Sequence, residues 1–217
     1  GDVMHWWHTL DKQTKGVRTH CSDDLLWLPW ALCEYVEKTG DISLCEISVS
    51  WLCSPPLHSD ERDRYEQAVY TDTKSEVISH AQKALDLIIE RGTGEHGLLK
   101  IGNGDWNDGM DKIGVRGKGE SVWLTWFFSH TAHRFSKLLD SLGRTDDAEK
   151  YEKAAAAVGK CADEAWDGKW YLRGYYDDGT PLGSSSQVCC QIDSIAQSFA
   201  ALSPEAEKER INTALSS

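Results

Sequence analysis

Residues 120–166 carry the pattern from which the fold class is predicted, ESVWLTWFFSHTAHRFSKLLDSLGRTDDAEKYEKAAAAVGKCADEAW. Two helical patterns cover residues 120–142 and 145–166, and a short turn at Gly143 joins them. Helices with so short a connection pack antiparallel, as an αα-hairpin. The stretch therefore predicts helix packed on helix.

Further helices are predicted on both sides of this hairpin. They cover residues 23–40, 41–52, 73–92, 193–202 and 203–217. Pro29 should kink the first of them, and Thr73 with Glu76 forms a capping box at the start of the third. Ser203 can cap the last helix. Since strands do not alternate with these helices, a parallel sheet is disfavoured, and the predicted fold class is all-α.

Two segments break the helical pattern. Residues 54–70 hold Pro55 and Pro56 and a dense run of charges, which predicts an irregular excursion. Residues 92–119 hold nine glycines and almost no periodicity, which predicts a long loop. Because long loops within a compact domain are usually functional, the second segment is the first place to look for a site.

Composition excludes several classes of protein. The formal net charge of −12 argues against a nucleic-acid or anionic-membrane partner, since phosphate groups are bound by basic surfaces. Apolar runs are too short for a membrane span. Seven cysteines without a Cys-x-x-Cys pair indicate free thiols in a reducing cytoplasm rather than a disulfide framework or a zinc knuckle. The chain begins at Gly1 without an initiator Met or a signal peptide, so we expect it to be part of a longer one.

The segment GNGDWNDGMD, residues 102–111, offers the most specific chemistry. Its glycines allow close approach of the backbone to a ligand, while carboxylates, an amide and an indole offer hydrogen bonds and a stacking face. Sugar rings need both kinds of contact. A calcium loop is the first alternative, but Gly109 stands where the EF-hand pattern requires a ligand. A solvated turn is the other alternative that stays open.

A second cluster lies near the start of the chain, in HWWH (5–8) and GVRTHCSDD (16–24). Arg18 offers a planar fork of donors, and Asp24 with its neighbour Asp23 offers acceptors at the start of a helix, so the group can grip several hydroxyls of one sugar. Helix capping is the alternative role for one of the two acids. The histidines at 5 and 8 have no further metal ligand at a familiar spacing, and we expect no metal site.

The chain resembles glycoside hydrolase family 94, the cellobiose/chitobiose phosphorylase family. It looks most like the branch that holds the phosphorylase-like domain of cyclic β-1,2-glucan synthases and the 1,2-β-oligoglucan phosphorylases. The matching blocks cover most of the chain in family order: HWWH (5–8), GVRTHCSDDLLWLPWA (16–31), GNGDWNDGM (102–110), GKGESVWLTWF (117–127), AWDGKWYLRGYYDDGTPLGS (165–184) and QIDSIAQSFAALS (191–203).

The resemblance implies an (α/α)6 barrel catalytic domain and reversible, inverting phosphorolysis of a β-glucosidic bond in a glucan or disaccharide, giving α-glucose 1-phosphate. It implies Asp108 as the general acid and Trp106 as part of the donor-sugar subsite. Arg18 and Asp24 match family residues that hydrogen-bond this sugar, and Asn103 matches a position that contacts the acceptor. Inorganic phosphate is the co-substrate, with no cofactor or metal.

A complete barrel needs about twelve helices, whereas the pattern gives roughly seven, so residues 1–217 are expected to form one partial barrel domain. Residues that bind phosphate are expected outside it, and the fragment alone need not be active. Half a barrel exposes apolar helix faces, and a homodimer is one way to cover them. An inverting hydrolase of the same fold and a non-catalytic carbohydrate-binding module are the alternative functions.

Overall fold

A computed structural model describes residues 3–10, 13–58 and 61–217, without the side chains of Leu10, Gln13, Thr14 and Asp108. The helices are α1 (Asp24–Thr39), α2 (Ser43–Glu46), α3 (Val77–Arg91), α4 (Val122–Ser141), α5 (Thr145–Glu164), α6 (Ser194–Ala200) and α7 (Lys208–Leu215). The strands are β1 (Met4–Leu10), β2 (Gln13–Thr19), β3 (Ser48–Cys53), β4 (Asp63–Glu66), β5 (Val69–Glu76), β6 (Glu120–Ser121), β7 (Gly174–Tyr175) and β8 (Pro181–Leu182).

Helix α4 lies at the centre of the hydrophobic core. It packs against α1, α5 and α6, and its aromatic side chains are almost completely buried: Trp123, Trp126, Phe127, Phe128 and Phe135. The Ser121 hydroxyl caps its first turn by accepting from the Leu124 N–H at 3.0 Å. Gly143, at φ +74°, then turns the chain into α5. The predicted αα-hairpin is confirmed.

Strands form three small antiparallel sheets around the helices, in the orders β1-β2-β4, β3-β5 and β6-β7-β8. Of the residues that the structure describes, 44% lie in helices and 20% in strands. The prediction of an all-α fold, given above as half of an (α/α)6 barrel, is therefore wrong. The single partial domain over residues 1–217 stays a prediction.

The strands were missed because they lack the alternation that marks a half-buried strand. Of the eight residues of β5, five are exposed, and both faces of β3 are largely open to solvent. A strand that is open on both faces gives no polar and apolar alternation along the sequence. Its hydrogen-bonding partner decides its structure, and that partner is distant in sequence.

Three other helix boundaries differ from those predicted. The helix expected over residues 41–52 ends at Glu46, and β3 follows. The expected capping box is absent because Thr73 lies inside β5 and the side chain of Glu76 makes no cap bond. The last helix begins at Lys208, not at Ser203, which is buried and donates its hydroxyl to the Trp126 carbonyl oxygen at 3.3 Å.

The long loop at residues 92–119 is held by the third sheet. The Ile101 N–H donates to the Gly119 carbonyl oxygen at 2.9 Å, and the backbones of Lys100 and Glu120 form an antiparallel β-bridge. The buried Glu120 carboxylate accepts from the backbone N–H groups of His96 and Leu98 at 3.1 and 3.0 Å. The loop is thus tied down at both ends.

Among the residues that the structure describes, no helix is both long and apolar enough to cross a membrane.

Candidate functional site

Residues 102–111 fold back onto the start of α1. Ser22 donates its backbone N–H and its hydroxyl to the Gly104 carbonyl oxygen, at 2.9 and 3.1 Å. Cys21 and Gly102 form an antiparallel bridge beside this contact. Gly104 has a φ of +131°, which L side chains rarely adopt, so this approach depends on glycine. The two sequence clusters, 82 residues apart at this contact, therefore meet in one region.

Asp105 anchors this segment to the protein interior. Its Oδ1 lies 2.5 Å from Nη2 of Arg173, and its Oδ2 accepts from the Ser121 hydroxyl at 2.7 Å. Both members of the pair are buried. The guanidinium thereby compensates the charge of the buried carboxylate.

Arg173 contacts the candidate site through Asp105 and was not predicted from the sequence. It also donates Nε to Asp193 Oδ2 at 2.9 Å. Burial disfavours the charged guanidinium, but the hydrogen bonds and charges of Asp105 and Asp193 outweigh burial and raise the pKa of Arg173. A signal existed, since an arginine beside the apolar Tyr171 and Leu172 usually has an acidic partner if it is buried.

A cleft of about 310 Å3 opens beside the segment, between β1, β2 and the start of β4. It is lined by His5, Trp6, Val17, Thr19, Cys21, Arg62, Asp63 and Asn103. The indole of Trp6 and several hydrogen-bonding groups thus face the same space, which is the mixture that a sugar ring requires.

Asp24, at the start of α1, is held by two residues that line this cleft. Nδ1 of His5 lies 2.8 Å from its Oδ1, and the Thr19 hydroxyl donates to its Oδ2 at 2.9 Å. The half-buried Asn103 lines the cleft itself, whereas Asp24 contacts two of the residues that line it. Their sugar contacts stay predictions.

Arg18 lies elsewhere. Since side chains alternate along a strand, Arg18 of β2 points away from Val17 and Thr19, which line the cleft. Its Nη1 donates to the Pro55 carbonyl oxygen at 3.1 Å, and its Nε lies 3.5 Å from Glu66. The structure does not bring Arg18 to Asp24, and its role at the sugar stays a prediction.

Trp106 stands at the surface with 62% of its area exposed. Its ring centroid lies 5.8 Å from that of Trp27 on α1, and the two rings are tilted by 54°. Trp27 in turn donates Nε1 to Asp23 Oδ2 at 3.0 Å. An indole this exposed, backed by a second indole, is a suitable platform for the apolar face of a sugar.

Asp108 begins a 3-10 turn, Asp108–Met110, which Asn107 caps by accepting from the Gly109 N–H at 2.9 Å. Its side chain lies outside the described part of the chain, so its role as general acid stays a prediction. One residue past the turn, Asp111 Oδ2 lies 2.7 Å from Nη1 of Arg62, a cleft residue. This ion pair links the turn to the cleft wall.

One group of side chains has the composition of a metal site. Ligand atoms of His5, Cys21 and Asp24 all lie within 4.8 Å of one another. The direct contact between His5 and Asp24 accounts for part of this closeness. The sequence hid this group because Cys21 and Asp24 lie far from His5 along the chain.

Comparison with known proteins places this sequence in a family. Residues 2–217 match the sequence model of the Glycosyl hydrolase 94 superfamily, catalytic domain. The chain belongs to the glycosyl hydrolase 94 superfamily. The resemblance drawn from the sequence is thereby confirmed.

Individual relatives agree with this membership. The chain is 42% identical over 211 residues to the cyclic beta-(1,2)-glucan synthase NdvB of Rhizobium meliloti, covering 97% of this chain and 7% of that protein. It is 32% identical over 195 residues to cellobionic acid phosphorylase of Neurospora crassa, with 89% and 22% covered. It is 30% identical over 198 residues to N,N'-diacetylchitobiose phosphorylase of Vibrio proteolyticus, with 90% and 22% covered. The chain thus spans less than a quarter of each relative.

Proposed function

We propose that this glycosyl hydrolase 94 chain is part of an enzyme that cleaves a β-glucosidic bond with inorganic phosphate and inversion, giving α-glucose 1-phosphate. The substrate class is a β-linked glucan or glucose disaccharide. The observation that carries the proposal is the cleft beside residues 102–111, which Asn103 lines together with His5 and Thr19, the two residues that hold Asp24. The exposed indole of Trp106 lies three residues further along the same segment. Two of the relatives above are phosphorylases by name.

The chemistry requires one protein acid. An inverting hydrolase needs a second carboxylate to deprotonate water, whereas phosphate is already an anionic nucleophile. Asp108 is the proton donor to the leaving oxygen in this proposal. Asp24 accepts hydrogen bonds from donor-sugar hydroxyls, Trp106 stacks on the ring, and Asn103 meets the acceptor. No cofactor or metal takes part, and the phosphate-binding residues are expected outside these residues.

The test measures glucose 1-phosphate released from β-linked glucose disaccharides and short glucans by the full-length protein. We expect release that depends on phosphate and falls by at least about a hundredfold in Asp108→Asn. Asp178→Asn, a substitution at an exposed turn, is the matched control and should keep full activity. Equal activity in Asp108→Asn and the wild type would refute the proposal.

Two other outcomes decide between the alternatives. Free glucose formed in phosphate-free buffer, first released as the α-anomer, would identify an inverting hydrolase. Saturable binding of sugar by calorimetry without any product would identify a carbohydrate-binding module. Both results would contradict phosphorolysis.

A further inference from the structure

Asp23 is a buried carboxyl group that the proposed mechanism does not use. Only 3% of the residue is exposed. Although it precedes α1, its side chain makes no cap bond. Oδ2 accepts from Trp27, while Oδ1 has no hydrogen-bond partner among the described residues. A buried carboxylate oxygen without a partner is costly, so this arrangement calls for an explanation.

Trp27 connects this carboxyl to the exposed indole. Its ring lies 4.7 Å from Phe127 of the core and 5.8 Å from Trp106, centroid to centroid. The ring is therefore fixed on its inner side by α4 and at its nitrogen by Asp23. Trp106 packs against this fixed ring, and no polar partner of its own is needed to orient it.

We propose that Asp23 is a positioning residue, which holds Trp27 through the indole N–H and thereby sets the orientation of Trp106 as the sugar platform. This inference rests on the proposed function, since it takes Trp106 to be the surface on which the sugar stacks. Asp23 itself touches no substrate. The unpartnered Oδ1 is the energetic cost of burying this carboxylate where its Oδ2 can accept from Trp27.

The charge state of Asp23 supports this role. Burial raises the pKa of Asp23 to about 6, and the charges of Asp24 and Asp105 add to this, whereas the bond from Trp27 opposes it. The facing charged groups are Asp24, which contacts His5, and Asp105, which is paired with Arg173. Above this pKa the carboxylate is the stronger acceptor for the indole N–H. Protonation weakens the bond, so Trp106 should loosen as the pH falls.

The first experiment measures Trp106 without sugar. Acrylamide quenching of tryptophan fluorescence is recorded from pH 4.5 to 8, and the difference between the wild type and Trp106→Phe gives the share of Trp106. We expect this share to change with a midpoint near pH 6. The change should vanish in Asp23→Asn, which keeps an acceptor but cannot ionise, and in Trp27→Phe, which keeps a ring without the N–H. Asp86→Asn, on a carboxylate beside Tyr151, should leave it intact.

The second experiment measures the Kd for glucose and β-linked glucose disaccharides in the full-length protein at pH 7.5. Asp23→Asn and Trp27→Phe should each raise it about two- to tenfold, the range of a stacking contact. The Kd of their double variant should be no higher than the higher of the two single-variant Kd values, because both substitutions act through one contact. In a Trp106→Ala background, Asp23→Asn should add nothing.

The outcomes separate this inference from the proposed function. If wild-type protein binds no sugar but the quenching transition is present and lost in Asp23→Asn, the proposed function fails and the positioning of Trp106 stands. If sugar binds but the transition persists in Asp23→Asn, or the two single effects multiply, the positioning role is overturned. Should Asp23→Asn fail to fold, the Trp27→Phe variant makes the same decision.

Discussion

At the scale of single residues, the buried pair of Asp105 and Arg173 is the contact on which the shape of residues 102–111 most depends. Arg173→Met leaves the Asp105 charge buried without its cation, and we expect a loss of about 3–5 kcal/mol in the free energy of unfolding. Urea denaturation measures this. The double variant Arg173→Met with Asp105→Asn should recover part of the loss. If the single variant is as stable as the wild type, the pair does not anchor the segment.

At the scale of elements, His133 joins α4 to two acidic side chains. Its Nδ1 lies 2.9 Å from Glu152 on α5, and its Nε2 lies 2.6 Å from Glu205 in the segment before α7. The hydrogen bond with Glu205 is the main cause of the raised pKa of His133, with Glu152 adding and burial opposing. A raised pKa in the folded state means that protonated His133 stabilises the fold.

We therefore expect a pH-dependent contribution from His133. It is fully present below the unfolded pKa of 6.5 and is lost as the pH rises through the raised folded pKa. His133→Gln should cost about 1–2 kcal/mol at pH 6 and less at pH 9, measured by denaturation across that range.

His130, one turn earlier, is the matched control for this prediction. Burial is the main cause that lowers the pKa of His130. Its contribution is therefore lost as the pH falls, and the cost of His130→Gln should shrink towards low pH. If both histidine variants follow the same pH dependence, the assignment of charge to His133 is wrong.

The elements also show what the sequence can and cannot reveal. Helices α1, α3, α4 and α5 were predictable because their apolar faces repeat at helical spacing and glycine ends three of them, at Gly40, Gly92 and Gly143. The strands could not be predicted because pairing with another strand stabilises them more than burial of one face does. In the site, the composition of residues 102–111 singled out the segment that the structure folds against the start of α1. Arg173 was hidden 68 residues from Asp105, and Arg18 was grouped with Asp24 because a strand there was not foreseen.

At the scale of the whole molecule, two of the small sheets carry neighbouring exposed apolar side chains. Val69 and Tyr70 of β5 are 58% and 72% exposed, and Leu52 of the paired β3 is 46% exposed. Leu52, Tyr70 and Trp7 line a groove of about 470 Å3 between these sheets and the helices α1 and α3. Contiguous apolar surface of this kind favours association in water.

We therefore expect the 217-residue chain to self-associate in solution through this groove. Sedimentation equilibrium should show a mass that rises with concentration, and Leu52→Lys with Tyr70→Lys should hold the chain at its monomer mass of 24.3 kDa. Val115→Lys changes an equally exposed apolar residue in the glycine-rich loop, away from the groove, and should leave association unchanged. If the wild-type chain stays monomeric at all concentrations, the groove does not drive association. The same conclusion follows if Val115→Lys makes the chain monomeric as fully as the groove variant does.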